Sequence, residues 1–280
     1  MNRLLIVDGH NLLFQMFFGM PSRIVNKNGK CIQGVLGFVG ALLKIIRNTK
    51  PTHIIVLFDG EHENGRSSLE PDYKANRIDY GKVSEKDTPF SQLPDICFAL
   101  DFLCINYAET VVCEADDMIA GYAYKYGDDM EIVIVSLDSD FYQLITDNIT
   151  VLRYRAGNMV FCTPDYIKEK FGINPSQYAD FKSLTGDASD NIKGAERVGP
   201  KTAALLLKEF GTLENIITNS EKIKKPSIKN SITESSEKLK TNYLLIKLHD
   251  FSPLPFSLDK LKYNCADITT NEVLREIGLK

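Results

Sequence analysis

Five acids stand at the two ends of one short unit of this chain: Glu114, Asp116 and Asp117, then Asp138 and Asp140. Between them lie an apolar stretch of helical character and the run Ile132-Val-Ile-Val135. Carboxylates gathered this closely repel, raise one another's pKa and destabilise a fold. Hard divalent cations, which take oxygen ligands, relieve that strain, so cation binding is the chemistry such a group serves. A helix start welcomes some negative charge through its free N–H groups and its dipole, but not this much. The run 132–135 is continuously β-branched, which suits a strand buried on both faces of a parallel sheet. Asp138 and Asp140 follow its carboxyl end, where open α/β sheets place their ligands.

Two other predicted strands end in the same way. Arg3-Leu-Leu-Ile-Val7 runs into Asp8-Gly9, and His53–Phe58 runs into Asp59-Gly60. Taken alone, Asp8 reads first as a helix N-cap. If the three strands are parallel, however, their carboxyl ends share one edge, and the helix opening at Glu114 starts on that edge too. Asp8, Asp59, Glu114, Asp116, Asp117, Asp138 and Asp140 then form one cluster. Such a set, with no His or Cys among it, suits Mg²⁺ or Mn²⁺. Two such ions about 4 Å apart can activate a water and stabilise the leaving oxygen of a phosphodiester. The chain has no P-loop, no Gly-x-Gly-x-x-Gly and no Gly-x-Ser-x-Gly, which removes support for nucleotide-fuelled, dinucleotide or α/β-hydrolase chemistry.

The elements that position these groups follow from the rest of the 280 residues. An apolar content of 44% with 25% charged residues predicts an ordinary globular core. No apolar run reaches the roughly 20 residues of a membrane span, and the first residues read as a strand rather than a signal peptide. The six cysteines show no C-x-x-C pair and the four histidines no zinc spacing, so free thiols in a reducing cytoplasm are expected. Helices are predicted over His10–Phe18, Gln33–Asn48 and Ser91–Leu103, another beginning at Phe141, a short strand near Ile105–Tyr107, and a hairpin joining Val151–Tyr154 to Met159–Phe161. Thr163-Pro164 caps a further helix.

Residues 60–90 break the α/β rhythm. They mix Arg66, Lys74, Arg77, Lys82 and Lys86 with Tyr73 and Tyr80. That composition fits either a surface that tracks a backbone and stacks bases or a solvated charged loop. From about Asn174 the chain becomes all-helical. A helix over Pro175–Leu184 leads to a loop bearing Asp187 and Asp190, then to Gly194-Ala-Glu-Arg-Val-Gly199-Pro-Lys201-Thr202, which opens a helix through Phe210. A glycine turn before a helix start can aim backbone N–H groups at a phosphate, though such turns are common in other settings. The net charge is −4, yet residues 193–247 hold eleven Lys and Arg against six Glu. That local excess is either an electrostatic footprint for a phosphate backbone or a solvated helical face.

Together these motifs resemble the 5′-nuclease family: the 5′-3′ exonuclease domain of bacterial DNA polymerase I and the flap endonucleases. The matching segments are Ile6-Val-Asp8-Gly-His-Asn-Leu, Phe58-Asp59, Asp72-Tyr-Lys74-Ala-Asn-Arg77, Glu114-Ala-Asp-Asp117, Asp138-Ser-Asp140-Phe-Tyr-Gln-Leu and Leu184-Thr-Gly-Asp187-Ala-Ser-Asp190-Asn. The resemblance implies an α/β fold with a PIN-like, mainly parallel central sheet flanked by helices, a helical arch or clamp, and a C-terminal helix-hairpin-helix region. It places a catalytic domain at 1–173 with the arch at about 61–90, a DNA-binding region at 174–250, and a C-terminal segment at 251–280 packed on the core. It implies two or more divalent ions, the first group drawing on Asp8, Asp59, Glu114, Asp116 and Asp117, the second on Asp138, Asp140, Asp187 and Asp190. A K⁺ ion at the helix-hairpin-helix belongs to the same expectation.

Lys74 and Arg77 are then expected to act on the scissile phosphate at the base of the arch. Gln15, Arg66, Lys193, Gly194, Arg197, Gly199, Lys201 and Thr202 are expected to meet DNA. Gln15 departs from the family, which often carries Arg there, and so weakens a charge-assisted phosphate contact. The expected protein is a stand-alone, monomeric, cytoplasmic bacterial 5′-3′ exonuclease and flap endonuclease acting on 5′ flaps, overhangs or junctions, with no membrane partner. A junction-binding protein with little catalysis and a PIN-like ribonuclease are the alternatives.

Overall fold

Short β-branched runs with no polar interruption build the centre of the molecule. The computed structural model describes residues 2–20, 22–60, 70, 73–75, 88–111, 113–250, 253–264 and 267–280. Strands β1 (Arg3–Asp8), β2 (His53–Phe58), β3 (Asn106–Glu109), β4 (Glu131–Val135), β5 (Ile149–Arg155) and β6 (Asn158–Cys162) form one sheet in the order β3-β2-β1-β4-β5-β6. All its pairings are parallel except β5 with β6. The mainly parallel sheet expected from the sequence is thus present.

Alternation along the strands divides the core in two. Leu4, Ile6, Ile55, Leu57, Ile132 and Ile134 face one apolar cluster, and Leu5, Val7, Ile54, Val56, Val133 and Val135 face the other. The second face is covered by α1 (Gly9–Gly19), α2 (Gln33–Thr49), α3 (Leu93–Phe102) and the C-terminal α11 (Thr270–Glu276), whose Val273 and Leu274 are buried there. The first face carries α4 (Ala115–Tyr126). It also carries the helical region: α5 (Pro164–Phe171), α6 (Tyr178–Thr185), α7 (Pro200–Phe210), α8 (Leu213–Thr218), α9 (Pro226–Glu234) and α10 (Ser236–Ile246). Both faces are therefore dry, which is why the central strands read as unbroken apolar runs.

Two local expectations change. The helix expected from Phe141 is a single 3₁₀ turn, Asp140–Leu144, because Ile145 is extended and the Thr146 hydroxyl accepts the Asn148 and Ile149 N–H groups in a turn of its own. The expected loop at Thr185–Ile192 contains a small hairpin, β7 (Gly186–Asp187) with β8 (Ile192–Lys193). Gly194 follows it where a Cβ would lie 2.3 Å from the Leu184 carbonyl oxygen, so only glycine permits that close approach. Most of the expected arch, with Arg66, Asp72 and Arg77, lies outside the described residues. Among the described residues no helix is long and apolar enough to cross a membrane.

Candidate metal centre

Parallel pairing puts the ends of β1, β2 and β4 on one edge, and the acids there are locked by short polar links. Asp8 caps α1: its Oδ1 accepts the Asn11 N–H at 3.0 Å. Its Oδ2 accepts the Ser136 hydroxyl at 2.8 Å, and the same Ser136 oxygen accepts the Asp138 N–H at 3.0 Å. Asn11 Oδ1 accepts the Leu137 N–H at 2.9 Å, and Asp138 Oδ1 accepts the Asp140 N–H at 2.9 Å. The cap and the cluster readings of Asp8 therefore hold together, one for each oxygen.

Asp59 performs a capping task that position alone would give to Glu114. Its Oδ1 accepts the N–H of Ala115, the first residue of α4, at 2.7 Å, while its own N–H donates to His10 Nδ1 at 3.1 Å. Glu114 instead meets Lys74, whose Nζ lies 2.6 Å from Oε1 with both side chains largely buried. Asp117 turns toward the helical region, its Oδ1 accepting the His249 N–H at 3.0 Å.

The second set comes from two layers. Asp140 leaves the sheet edge, and Asp187 and Asp190 arrive on and after β7; each offers a carboxylate oxygen, and the three oxygens lie within 4.8 Å of one another. The Lys74 N–H donates to the Asp190 carbonyl at 3.1 Å, which ties the described base of the 60–90 segment to this set. Lys182 of α6 enters the set with Nζ 3.0 Å from Asp140 Oδ1, and it also pairs with Asp187.

Charge coupling joins both sets. Burial pushes the Asp8 carboxyl up to about 7, against the Asn11 and Ser136 hydrogen bonds and with help from Asp59 and Asp138. Burial, then Asp138 and Asp8, hold Asp116 well above the usual carboxylate range, with Lys74 opposing. Asp140 rises to about 7 through burial and Asp138, with Lys182 opposing. Asp59 goes the other way: partial burial is outweighed by its hydrogen bonds to His10 and Ala115. Asp187 is also lowered, its burial outweighed by Lys182 and Ser189.

These are carboxylates that cannot all ionise without added positive charge. Asp140 Oδ1 is buried and, the nearby Lys182 ammonium aside, receives no hydrogen bond. An all-oxygen donor set with a buried under-satisfied oxygen fits divalent cations that take carboxylate ligands.

Of the groups expected to touch DNA, Gln15 donates through Nε2 to the Tyr154 carbonyl, joining α1 to β5. Lys193, Arg197, Gly199 and Lys201 are exposed and Thr202 is half-buried. Gly199 is the N-cap of α7, while Gly194 packs on the backbone of Leu184 and Gly186. Sequence reasoning missed Asn11, Ser136, His10 and Lys182. The first two carried a signal in hindsight, as polar residues beside strand-end acids. Lys182 had a fainter one, a lysine inside an apolar helical stretch.

Residues 3–172 match the 5′-3′ exonuclease, N-terminal resolvase-like domain, and residues 173–269 match the 5′-3′ exonuclease, C-terminal SAM fold. The chain is 34% identical over 257 residues to the thermostable DNA polymerase I of Thermus thermophilus, covering 91% of this chain and 30% of that protein. It is 34% identical over 266 residues to DNA polymerase I of Bacillus subtilis, covering 93% and 29%. It thus spans about three tenths of those relatives. T5 5′-exonuclease with bound divalent zinc ions superposes with a TM-score of 0.71 at 25% identity, covering 88% of this chain and 89% of that one. The catalytic core of Rad2 in complex with DNA shares the fold, with a TM-score of 0.57 at 16% identity, covering 92% and 82%.

Proposed function

The chain belongs to the 5′-3′ exonuclease family, and from that premise we propose that it is a Mg²⁺- or Mn²⁺-dependent 5′-3′ exonuclease and flap endonuclease acting on DNA with 5′ flaps, overhangs or junctions. The observation that carries this reading is the gathering of Asp8, Asp59, Asp116, Asp138, Asp140 and Asp187, acids that arrive from β1, β2, α4, the end of β4 and the helical region and are linked through the shared Ser136 hydroxyl, the Asp59–Ala115 hydrogen bond and the convergence of Asp140 with Asp187. Bound to these carboxylates and to Asp190, with Glu114 engaged by Lys74 and Asp117 turned to the His249 N–H, divalent cations would supply water activation and charge neutralisation for phosphodiester hydrolysis.

The chain's own residues set the geometry. Ser136 holds Asp8 and Asp138 together through one hydroxyl. Asp59 fixes the start of α4 and so the position of Asp116. Lys74, held near the cluster by Glu114 and by the Asp190 carbonyl, is the cation this reading assigns to the scissile phosphate, with Arg77 as its expected companion. The exposed Arg197 and Lys201 near the start of α7, with Lys193 nearby in sequence, suit a phosphate backbone without base reading, and a K⁺ ion at that turn is part of the reading. Action as a monomer in the cytoplasm completes the proposal.

The test is a 5′-flap DNA labelled at each terminus, incubated with Mg²⁺. Wild type is expected to release short 5′ products. Asp138→Ala combined with Asp140→Ala is expected to lower turnover by about 10³-fold or more, the loss of several kcal/mol of charge stabilisation, while binding in Ca²⁺ persists. Unchanged turnover in the double variant would refute the assignment.

A further inference from the structure

The second carboxylate set contains a cation of its own. Lys182 sits on α6, where every residue from Tyr178 to Leu184 is buried. Its ammonium lies 3.0 Å from Asp140 Oδ1 and 3.3 Å from Ser139 Oγ, and it donates to Asp187 Oδ2. Its side chain is only 10% exposed. Lysine is almost never buried unless paired, and removing one partner of a buried pair leaves an uncompensated charge. Lys182 and the two acids are therefore mutual counter-ions. Those same two acids, with Asp190, are, among the described residues, three whose oxygens converge closely enough to share one cation.

Resting on the nuclease reading above, we infer that Lys182 is the resident counter-ion of this half of the centre, and that a divalent cation binds at Asp140, Asp187 and Asp190 by displacing its ammonium. An ammonium and a divalent cation sharing two carboxylates would repel strongly at such distances, even with effective screening. The first set also holds a lysine, but Lys74 pairs with Glu114 and leaves Asp8 to the Asn11 N–H and the Ser136 hydroxyl, both neutral donors, whereas Lys182 occupies two of the three converging acids of its set. The two halves of the centre should therefore fill unequally, the Lys182 half last.

Mn²⁺ binding to the full chain without DNA, followed by the electron-spin resonance of free Mn²⁺, tests this. Wild type is expected to show a tighter and a weaker class of site. Lys182→Met, which keeps length and loses charge, is expected to tighten the weaker class by at least about tenfold. Lys182→Arg is expected to leave it weak. A weaker class that is unchanged or weakened further in Lys182→Met overturns the inference. Should Lys182→Met fail to fold, amine labelling of wild type answers the same question by mass spectrometry. Labelling of Lys182 is expected to rise several-fold on saturation with Mn²⁺, and constant labelling overturns the inference. Wild type that binds no Mn²⁺ at all would overturn the nuclease reading itself, a different result from Mn²⁺ that binds without regard to Lys182.

Discussion

Asp8 shows how much one side chain carries in this protein. One oxygen starts a helix, the other binds Ser136, and the carboxyl is buried beside Asp59 and Asp138. Its pKa in the folded chain is about 7, as is that of Asp140, against an ordinary aspartate value of 3.8. A folded-state pKa raised in this way favours folding while the proton is held. The contribution is complete below the unfolded value and is lost as pH rises through about 7. Asp59 and Asp187 have lowered values, so their contribution is present above the unfolded pKa and is lost as pH falls through the folded one. The metal-free protein should therefore melt highest near pH 5 and lose stability toward pH 8, by up to a few kcal/mol, since each pKa unit is worth about 1.4 kcal/mol. Saturating Mg²⁺ should remove most of that decline. Thermal melts at pH 5 and pH 8, with and without Mg²⁺, check both statements. At this scale Asp8, Asp59, Asp138 and Asp140 were legible because they follow the ends of apolar runs, whereas Asp187 and Asp190 joined the set only through the family resemblance. Ser136 and Asn11, which bind them together, offered only their place beside those acids, because a single hydroxyl or amide carries no periodic signal.

Elements decide whether the two carboxylate sets stay in register. Gln143, in the 3₁₀ turn after Asp140, donates to the carbonyls of Asp140 and Ile246, and its Oε1 accepts the Leu248 N–H at 2.9 Å. One residue on, the His249 N–H reaches Asp117. The stretch 246–249 thus straps the end of α10 to elements of both sets. Gln143→Leu should remove three hydrogen bonds and leave the buried Leu248 N–H unpaired, for a loss of roughly 3 kcal/mol. The variant should also weaken Mn²⁺ binding, which calorimetry would report. Gly194→Ala should cost about 2 kcal/mol, seen as a lower melting temperature, because its Cβ would meet the Leu184 carbonyl and the Gly186 nitrogen. The strands, α1, α2 and the β5–β6 hairpin could be read from apolar runs and turn residues. The turn at 140–144 and the small β7–β8 hairpin could not. Both are short and depend on distant parts of the chain, as Gln143 with Ile246 and Asn242 with the carbonyls of Ser183 and Lys193 show.

Across the whole molecule, charge is partitioned. The chain is acidic overall, yet residues 193–247 are basic. A surface cavity of about 440 Å³ beside the start of α7 is lined in part by Lys170, Lys201 and Lys208. Lys201→Ala with Lys208→Ala should weaken DNA binding about equally for all sequences and reduce the slope of log affinity against log salt by roughly one for each phosphate no longer neutralised. Fluorescence anisotropy over a salt series measures this. Net charge hid this partition, since a sum over the chain says nothing of where charges lie. The most direct measurement of the central claim is an anomalous-scattering map from crystals grown with Mn²⁺. One peak is predicted among Asp8, Asp116 and Asp138, the last drawn from the expected second group to the first by the Ser136 hydroxyl it shares with Asp8, and a second among Asp140, Asp187 and Asp190. Manganese bound only at other surfaces, with these carboxylates bare at saturating concentration, would contradict the account.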